Sequence, residues 1–210
     1  MKKIKVLIAD DHEMVRKGIR SWLEFESDIE VIGEAEKGAD ALAKVSSLKP
    51  DVLLLDLHFQ DMHGLDMIRS LRGEKNETPI LVMTGYEKQR AKAVLEAGAN
   101  GFLNKLETRE RLLDAIRWAS KREAGSWISP SVATELMQTN NAVQSAGLTK
   151  TELKVLSLIE HNNPKIAEKL FLSEGTIANH ISNIYSKLGV STRLEAAAWA
   201  RKNGILETAG

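Results

Sequence analysis

The sequence predicts an α/β domain with a doubly wound parallel sheet of five strands, followed by a small all-α domain. Short apolar runs alternate with segments of helical period through the first 123 residues, which is the pattern of strands and helices in a parallel sheet. Residues 124–147 are instead rich in Ser, Asn, Thr and Ala, and every segment after Gly147 has helical character. We therefore expect domains at residues 1–123 and 148–210, joined by a linker at 124–147.

Five apolar runs in the first domain are short enough to be strands buried on both faces of a sheet. The segments between them carry apolar residues at helical spacing, and Val15, Ile19 and Leu23 form one such stripe. Strands that alternate with helices in this way lie parallel, with helices on both sides. The predicted strands are residues 6–9, 30–33, 52–55, 80–83 and 101–103.

The linker and the second domain carry signals for short helices. One is expected at residues 132–137 of the linker. In the second domain, Thr149 with Glu152 and Thr192 with Glu195 have the spacing of capping boxes, in which two residues satisfy each other's free amides. These signals predict about four helices in this domain. The other predicted boundaries are an N-cap at Ser173 and C-terminal glycines at Gly189 and Gly204.

The composition excludes several classes of protein and site. The chain has 29 basic and 29 acidic residues, so its overall charge does not favour nucleic acid or a membrane surface. It has no cysteine, which excludes disulfides, thiolate zinc sites and a thiol nucleophile. The first apolar run is too short for a signal peptide, and no run approaches the roughly 20 residues of a membrane span. We expect a cytoplasmic protein with no membrane partner.

Polar side chains follow four of the five predicted strands. Asp10 and Asp11 follow the first strand, Asp56 the third, Thr84 the fourth and Lys105 the fifth. Because the carboxyl ends of parallel strands meet at one edge of a sheet, we expect these side chains to converge on one pocket. Each residue has a structural alternative, such as a helix cap for the aspartate pair or a solvated surface position for the lysine. Their coincidence at equivalent strand ends favours a functional site.

Three converging carboxylates suit a hard divalent cation, and Mg²⁺ prefers such oxygen ligands. A carboxylate, a metal ion, a lysine and a hydroxyl together suit the transfer of a phosphoryl group onto an aspartate. In such a site the metal and Lys105 offset the charge of the phosphoryl group, while Thr84 hydrogen-bonds one of its oxygens.

This set of residues resembles the receiver domain of two-component response regulators. Asp10, Asp11, Asp56, Thr84 and Lys105 match the receiver pattern in residue type, order and spacing. The resemblance implies a flavodoxin-like fold and phosphorylation of the third aspartate by a sensor histidine kinase. It implies no enzymatic activity beyond the Mg²⁺-dependent phosphorylation and dephosphorylation of the domain itself.

The resemblance also assigns roles around the phosphoryl acceptor, Asp56. Asp11, Asp56 and the backbone carbonyl of His58 are expected to hold Mg²⁺, with Asp10 acting through water. The residues expected to change position on phosphorylation are Thr84 and Phe102.

The loop after Asp56 departs from the family pattern. Where the family often has Met-Pro and then Asp-Gly, this chain has Gln60 for the proline and His63 for the aspartate. We expect a different loop shape or lifetime of the phosphorylated state, with the chemistry retained because His58 acts through its backbone. His12 and His58 fall near the same edge, but no third histidine is placed to complete a histidine metal site.

The second domain contains a longer helix with an apolar stripe formed by Ile177, Ile181, Ile184 and Leu188. A short helix at residues 165–170 precedes it, and the turn between them fits a helix-turn-helix, whose second helix enters the major groove of DNA. The residues expected on the outer face of this helix are Ala178, Asn179, Ser182, Asn183 and Ser186.

This domain resembles the LuxR-type helix-turn-helix of the NarL/FixJ subfamily of response regulators, which implies DNA binding. The matching residues are Leu148-Thr149, Glu152, Val155-Leu156, Ile166-Ala167, Leu172-Ser173, Thr176, His180, Lys187-Leu188 and Glu195-Ala196-Ala197. The candidate DNA contacts are Thr176, Ala178, Asn179, Ser182, Asn183, Lys187, Lys165 and Arg193.

Two departures bear on DNA binding. The family commonly has basic residues where Gly175 and Ala178 stand, and residues 148–210 contain only 8 basic against 6 acidic residues. Since contacts with phosphates supply most non-specific affinity, we expect a monomer to bind DNA weakly. Phosphorylation is therefore expected to promote a DNA-binding homodimer. The expected partners are DNA, the sensor histidine kinase, a second copy of the chain and RNA polymerase.

Two alternatives remain open at this point. One is a phosphorylated adaptor whose C-terminal helices bind protein rather than DNA, which the low positive charge favours. The other is a phosphohydrolase of the haloacid dehalogenase type, which also forms an aspartyl-phosphate. Such enzymes need an aspartate two residues after the nucleophile, and this chain has His58 at that position.

Overall fold

The structure is a computed structural model that describes residues 2–85, 91–130, 132–134, 137 and 146–206. The chain forms two compact units, Met1–Thr134 and Glu135–Gly210. The helix expected at residues 132–137 lies partly outside the described residues, of which 132–134 and 137 are helical. None of the helices in the described ranges combines the length and the apolar composition needed to cross a lipid bilayer.

The first unit contains a sheet of the strands β1 (Ile4–Ala9), β2 (Ile29–Ala35), β3 (Val52–Leu55), β4 (Ile80–Thr84), β5 (Gly101–Asn104) and β6 (Trp127–Ile128). These strands pair in parallel in the order β2-β1-β3-β4-β5-β6. Four apolar residues of β1 are fully buried, as expected for a strand with helices on both sides. The parallel α/β fold predicted from the sequence is confirmed.

The sheet has six strands rather than the predicted five, because β6 lies inside the segment assigned to the linker. The amide of Trp127 donates to the carbonyl of Asn100 at 2.9 Å, and that of Ser129 donates to the carbonyl of Phe102 at 3.2 Å. The side chain of Trp127 packs against the core of the unit. Two residues are too few to show a strand pattern in the sequence, so the sixth strand could not be distinguished from the linker.

The helices of this unit whose bounds fall within the described residues are α1 (Glu13–Glu24), α2 (Gly38–Leu48), α3 (Gly64–Gly73), α4 (Ala91–Glu96) and α5 (Arg109–Ser120). Helices α1 and α5 cover one face, where Ile19 of α1 and Ile116 of α5 join the core cluster formed by Val6, Ile8 and other strand residues. On the opposite face, Leu7 and Leu48 approach Gly33, so α2 packs against β1 and β2 there.

In the second unit, the described residues 146–206 form four helices around a separate apolar core that includes Val155, Ile166, Ile181 and Ala200. Both predicted capping boxes are present, with the side chain and amide of each threonine bonded to the glutamate three residues later. The predicted cap at Ser173 and the left-handed glycine at 189 are also confirmed. The helices are α6 (Lys150–Ser157), α7 (Asn163–Leu170), α8 (Glu174–Leu188) and α9 (Arg193–Lys202).

Glu152 joins two helices of this unit through a buried ion pair. Its Oε2 accepts from the amide of Thr149 at 2.7 Å and from Nζ of Lys187 at 2.7 Å, although only 3% of the residue is exposed. Burial by itself raises the pKa of Glu152, but the hydrogen bonds from Lys187 and Thr149 outweigh this effect and lower the pKa below its usual value. The carboxylate is therefore ionised at neutral pH and holds α6 against α8.

Replacing Glu152 by glutamine is expected to destabilise the second unit by about 1–3 kcal/mol, because the ammonium of Lys187 loses its carboxylate. The pKa of Glu152 is lower in the folded protein than in the unfolded one. Its contribution is therefore present above the unfolded value of 4.5 and is lost as the pH falls through the folded value. Unfolding followed by the ¹⁹F signal of 5-fluorotryptophan at Trp199 measures this unit within the full-length chain.

A matched control is Glu160→Gln. Glu160 also pairs with a cation, Arg201, but both side chains are largely exposed, and exposed pairs contribute little. Equal stability losses for the two variants would show that the buried ion pair of Glu152 stabilises the unit no more than the exposed pair of Glu160.

Candidate functional site

The predicted strand-end residues meet beside the point where the strand order reverses. β1 lies between β2 and β3, and such a switch point is where open α/β sheets bind ligands. Asp10 directly follows β1 and Asp56 directly follows β3. The amide of Asp56 donates to the carbonyl of Ala9 at 2.9 Å, which fixes the two strand ends side by side.

Lys105 bridges the two buried aspartates. Its Nζ lies 2.7 Å from Oδ2 of Asp10 and 2.8 Å from Oδ2 of Asp56, which are only 2% and 3% exposed. Burial raises the pKa of Asp56; Lys105 opposes this rise and Asp10 adds to it. Burial also lowers the pKa of Lys105, but the hydrogen bonds to both aspartates outweigh it and raise that pKa above its usual value. Lys105 is therefore a fixed cation at this edge.

Asp11 and His12 complete a cluster of four potential metal ligands with Asp10 and Asp56. One ligand atom from each lies within 4.8 Å of all the others. His12 Nδ1 is 2.5 Å from Oδ1 of Asp11 and 3.4 Å from Oδ1 of Asp10. Three carboxylates at this spacing fit a hard divalent cation such as Mg²⁺, and the imidazole is an addition to the predicted set.

Thr84 and Phe102 belong to the neighbouring strands and are fully buried. Thr84 ends β4, and its carbonyl accepts from the amide of Lys105 at 3.0 Å, so it lies beside the bridging lysine in the sheet. Phe102 lies in the middle part of β5 and pairs with Val82 of β4. The movement of both residues on phosphorylation stays a prediction.

The loop between β3 and α3 accounts structurally for one departure from the family pattern. His63 is the N-cap of α3, and its Nδ1 accepts from the amide of Leu65 at 3.1 Å. A histidine thus makes the capping bond that aspartate commonly makes. His58 and His63 also form an isolated antiparallel bridge, with their rings edge to face at 5.8 Å. This bridge closes the loop that carries the backbone carbonyl of His58.

Two residues that support the site were not identified from the sequence. Arg16 is buried on α1, donates to the backbone carbonyl of Asp10 at 2.6 Å and lies 3.6 Å from a carboxylate oxygen of Glu34. Asp61 accepts from the amides of Gly38 and Ala39 at 2.9 and 3.0 Å, which ties the acceptor loop to the first turn of α2. A charged residue inside an apolar helical stripe was the available signal for Arg16. Nothing in the sequence links Asp61 to partners more than 20 residues away.

The second candidate site is the outer face of α8. Ile177, Ile181 and Ile184 are buried, so the helix packs through the predicted stripe. Thr176 is half-buried, and its hydroxyl lies 2.8 Å from Oγ of Ser173 in the helix cap. The exposed residues of the predicted DNA-facing set on α8 are Ala178, Asn179, Ser182 and Asn183, together with the edge of Lys187.

Two of the predicted cations have partners inside the unit. Lys187 is held by Glu152, and Arg193 donates to the carbonyls of Ile159 and His161 and to the side chain of Asn163. Arg193 therefore fastens the loop between α6 and α7. Lys165 is exposed in the first turn of α7. The contacts of these cations with DNA stay predictions.

Models of two protein families match the chain. The response regulator receiver domain matches residues 6–117, and the luxR family of bacterial regulatory proteins matches residues 146–200. The chain therefore belongs to the response regulators and consists of a receiver and a LuxR-type DNA-binding domain, as predicted. Response regulators of this family are transcription factors rather than classical enzymes.

Full-length relatives support the same assignment. The chain is 40% identical over 209 residues to the transcriptional regulatory protein LiaR of Bacillus subtilis, covering 97% of this chain and 99% of the relative. It is 35% identical over 212 residues to the response regulator protein VraR of Staphylococcus aureus, with the same coverage of 97% and 99%.

Solved structures of response regulators have the same architecture. ChrA, from a heme-sensing two-component system, is 32% identical, with a TM-score of 0.58 over 98% of this chain and 100% of that protein. The regulator RcsB in complex with DNA is 26% identical, with a TM-score of 0.68 over 94% of this chain and 98% of that protein.

Proposed function

We propose that this regulator is switched by transfer of a phosphoryl group from a sensor histidine kinase to Asp56. The observation that supports this most directly is the bridge from Lys105 to Asp10 and Asp56 at the switch point of the sheet. In this arrangement the buried carboxylate of Asp56 lies beside the fixed cation of Lys105 and close to further carboxylates. Phosphoryl transfer to an aspartate requires such a set of groups. We also propose that the protein acts in the cytoplasm.

In this step a carboxylate oxygen of Asp56 attacks the phosphorus of a phosphohistidine. A carboxyl–phosphate bond forms, the phosphorus–nitrogen bond breaks, and the electron pair stays on the histidine ring of the kinase. Lys105 offsets charge on the transferred group, and the hydroxyl of Thr84 donates a hydrogen bond to one of its oxygens. Asp11, Asp56 and the carbonyl of His58 would hold Mg²⁺, with Asp10 acting through water. The ion supplies positive charge against the phosphoryl oxygens.

We further propose that phosphorylation promotes a homodimer whose α8 helices bind DNA, with RNA polymerase as a later partner. A domain with nearly balanced charge binds weakly alone, and two linked copies gain affinity through effective concentration. The exposed Leu194 on α9 supports a contact between copies, because 78% of this apolar residue is accessible.

A pull-down of fragmented genomic DNA with full-length protein, with and without acetyl phosphate, tests this function. Enrichment of particular fragments that increases with the phosphoryl donor supports it. Absence of any enriched fragment would favour an adaptor that binds protein. Light scattering of the same samples measures the dimer step, and an unchanged monomer mass with raised DNA affinity would contradict that step.

Sequence readout is expected to depend on Asn179 of α8. Its side chain is exposed, and an asparagine can bond N6 and N7 of adenine together, whereas Ala178 offers only an apolar contact. Asn179→Ala should cost about 1–3 kcal/mol on the preferred fragment and relax preference at one base pair. Fluorescence anisotropy on specific and random duplexes measures this difference.

The comparison variant for that experiment is Lys165→Ala, which removes an exposed cation of α7. If Lys165 meets phosphate, its loss should weaken all duplexes alike and reduce the salt slope by about one unit. Equal losses on specific and random DNA for Asn179→Ala would show that other residues read the sequence.

A further inference from the structure

Phe171 occupies an unusual position at the end of α7. It is the C-cap of the helix, with φ +55° and ψ +42°, in the left-handed region of the backbone. The next amide, that of Leu172, donates to the carbonyl of Ala167 at 3.0 Å, which closes the turn in the manner of a Schellman motif. Glycine is the usual residue there, because a side chain is strained in this conformation.

Another helix of the same unit, α8, ends in the usual way, with a glycine in the left-handed conformation. Gly189 ends α8 with φ +66°, and the amide of Val190 donates to the carbonyl of Tyr185 across an equivalent turn. The left-handed backbone at Phe171 therefore lowers the stability of the unit, whereas the same conformation at Gly189 does not. Burial of the ring does not offset this cost, since 95% of Phe171 is exposed.

The position of Phe171 indicates which partner the ring meets. It lies two residues before Ser173, the N-cap of α8. In a helix-turn-helix, the first residues of the second helix contact the base edges while the first helix crosses the DNA backbone. The turn that joins the two helices therefore lies beside the backbone. An apolar contact there raises affinity without a positive charge, which suits a domain with 8 basic and 6 acidic residues.

We propose that Phe171 is a DNA contact whose ring packs against the deoxyribose of the strand that flanks the major groove. This inference rests on the proposed DNA-binding function and adds to it a residue outside α8. The contact is apolar and does not involve base edges, so it adds to the affinity for every sequence equally.

The test compares Phe171→Gly with Lys49→Gly in the phosphorylated full-length protein. Lys49 is the matched control, because it is the left-handed C-cap of α2 in the receiver unit, with φ +48°. Both variants relieve backbone strain, so neither should lower the melting temperature of its own unit. Phe171→Gly should weaken DNA binding about fivefold, the effect of uncovering roughly half of a phenyl ring. Lys49→Gly should leave affinity within about twofold.

Two further results separate the possible outcomes. The loss for Phe171→Gly should be equal on specific and random duplexes and should leave the salt slope unchanged, because no charge is removed. Phe171→Leu should retain most of the affinity. Unchanged affinity for Phe171→Gly, or a slope reduced by about one unit, would overturn the contact while leaving the DNA-binding function in place. Failure of the unmutated protein to bind any duplex would overturn both.

Discussion

Replacing Asp56 by asparagine is expected to abolish phosphoryl uptake, because the amide of asparagine is not a nucleophile for phosphorus. Acetyl phosphate with Mg²⁺ should add about 80 Da to the unmutated protein and nothing to the variant, as intact mass spectrometry measures. The fold should be retained, since the asparagine oxygen still accepts from Lys105. Chelation of Mg²⁺ should also stop the reaction in the unmutated protein, because the clustered carboxylates lose their counter-ion.

Asp66→Asn provides the control for this experiment. Asp66 is an exposed carboxylate in the first turn of α3, paired only on the surface with Arg69. The Asp66→Asn variant should be phosphorylated at Asp56 as fast as the unmutated protein. Undiminished uptake by Asp56→Asn would reject Asp56 as the acceptor.

Replacing Gly64 by alanine is expected to disturb the same site through the backbone. A Cβ atom at this position would lie 2.5 Å from the carbonyl oxygen of Asp56 and 2.8 Å from Cα of Leu57. Both contacts are with backbone, so the acceptor loop must shift. We expect a loss of about 1–3 kcal/mol in the free energy of unfolding, together with slower phosphorylation. Urea unfolding and the rate of mass increase with acetyl phosphate measure the two effects.

The chain offers a close control in Gly73 at the other end of α3. A Cβ atom there has no heavy atom within 4 Å, so Gly73→Ala should be neutral or stabilise the helix by up to about 1 kcal/mol. If Gly64→Ala were as stable and as rapidly phosphorylated as Gly73→Ala, the loop would be more adaptable than its contacts indicate.

The sequence was sufficient to predict the fold class and the edge of the sheet at which the site residues meet. Apolar runs end in Asp10 and Asp56, and parallel strands bring their carboxyl ends to one edge whatever the details of packing. Helix caps such as Thr149 and Ser173 were predictable for a different reason, because their partners lie only three residues away in the sequence. Two-residue β6 was missed because a strand of that length has no pattern.

The contacts that refine the site depend on residues far apart in the chain. Lys187 was identified from the sequence as a candidate DNA contact, and its partner inside the unit, Glu152, lies 35 residues earlier on another helix. Arg193 likewise bonds to a loop about 30 residues away. The packing of α6 against α8 brings Glu152 to Lys187, and the packing of α9 against the loop between α6 and α7 brings Arg193 to its partners. Neither spacing nor periodicity contains that information. The cap made by His63 is local, but histidine is not a usual capping residue.

The ion pair between Lys187 and Glu152 affects how DNA binding by the regulator responds to ionic strength. Lys187 is the single lysine or arginine of α8, and Glu152 neutralises it. A recognition helix that neutralises few phosphates displaces few counter-ions, so α8 itself should add little to the salt dependence of DNA binding. When ionic strength rises, binding through this helix should therefore weaken less than binding through a strongly basic recognition helix.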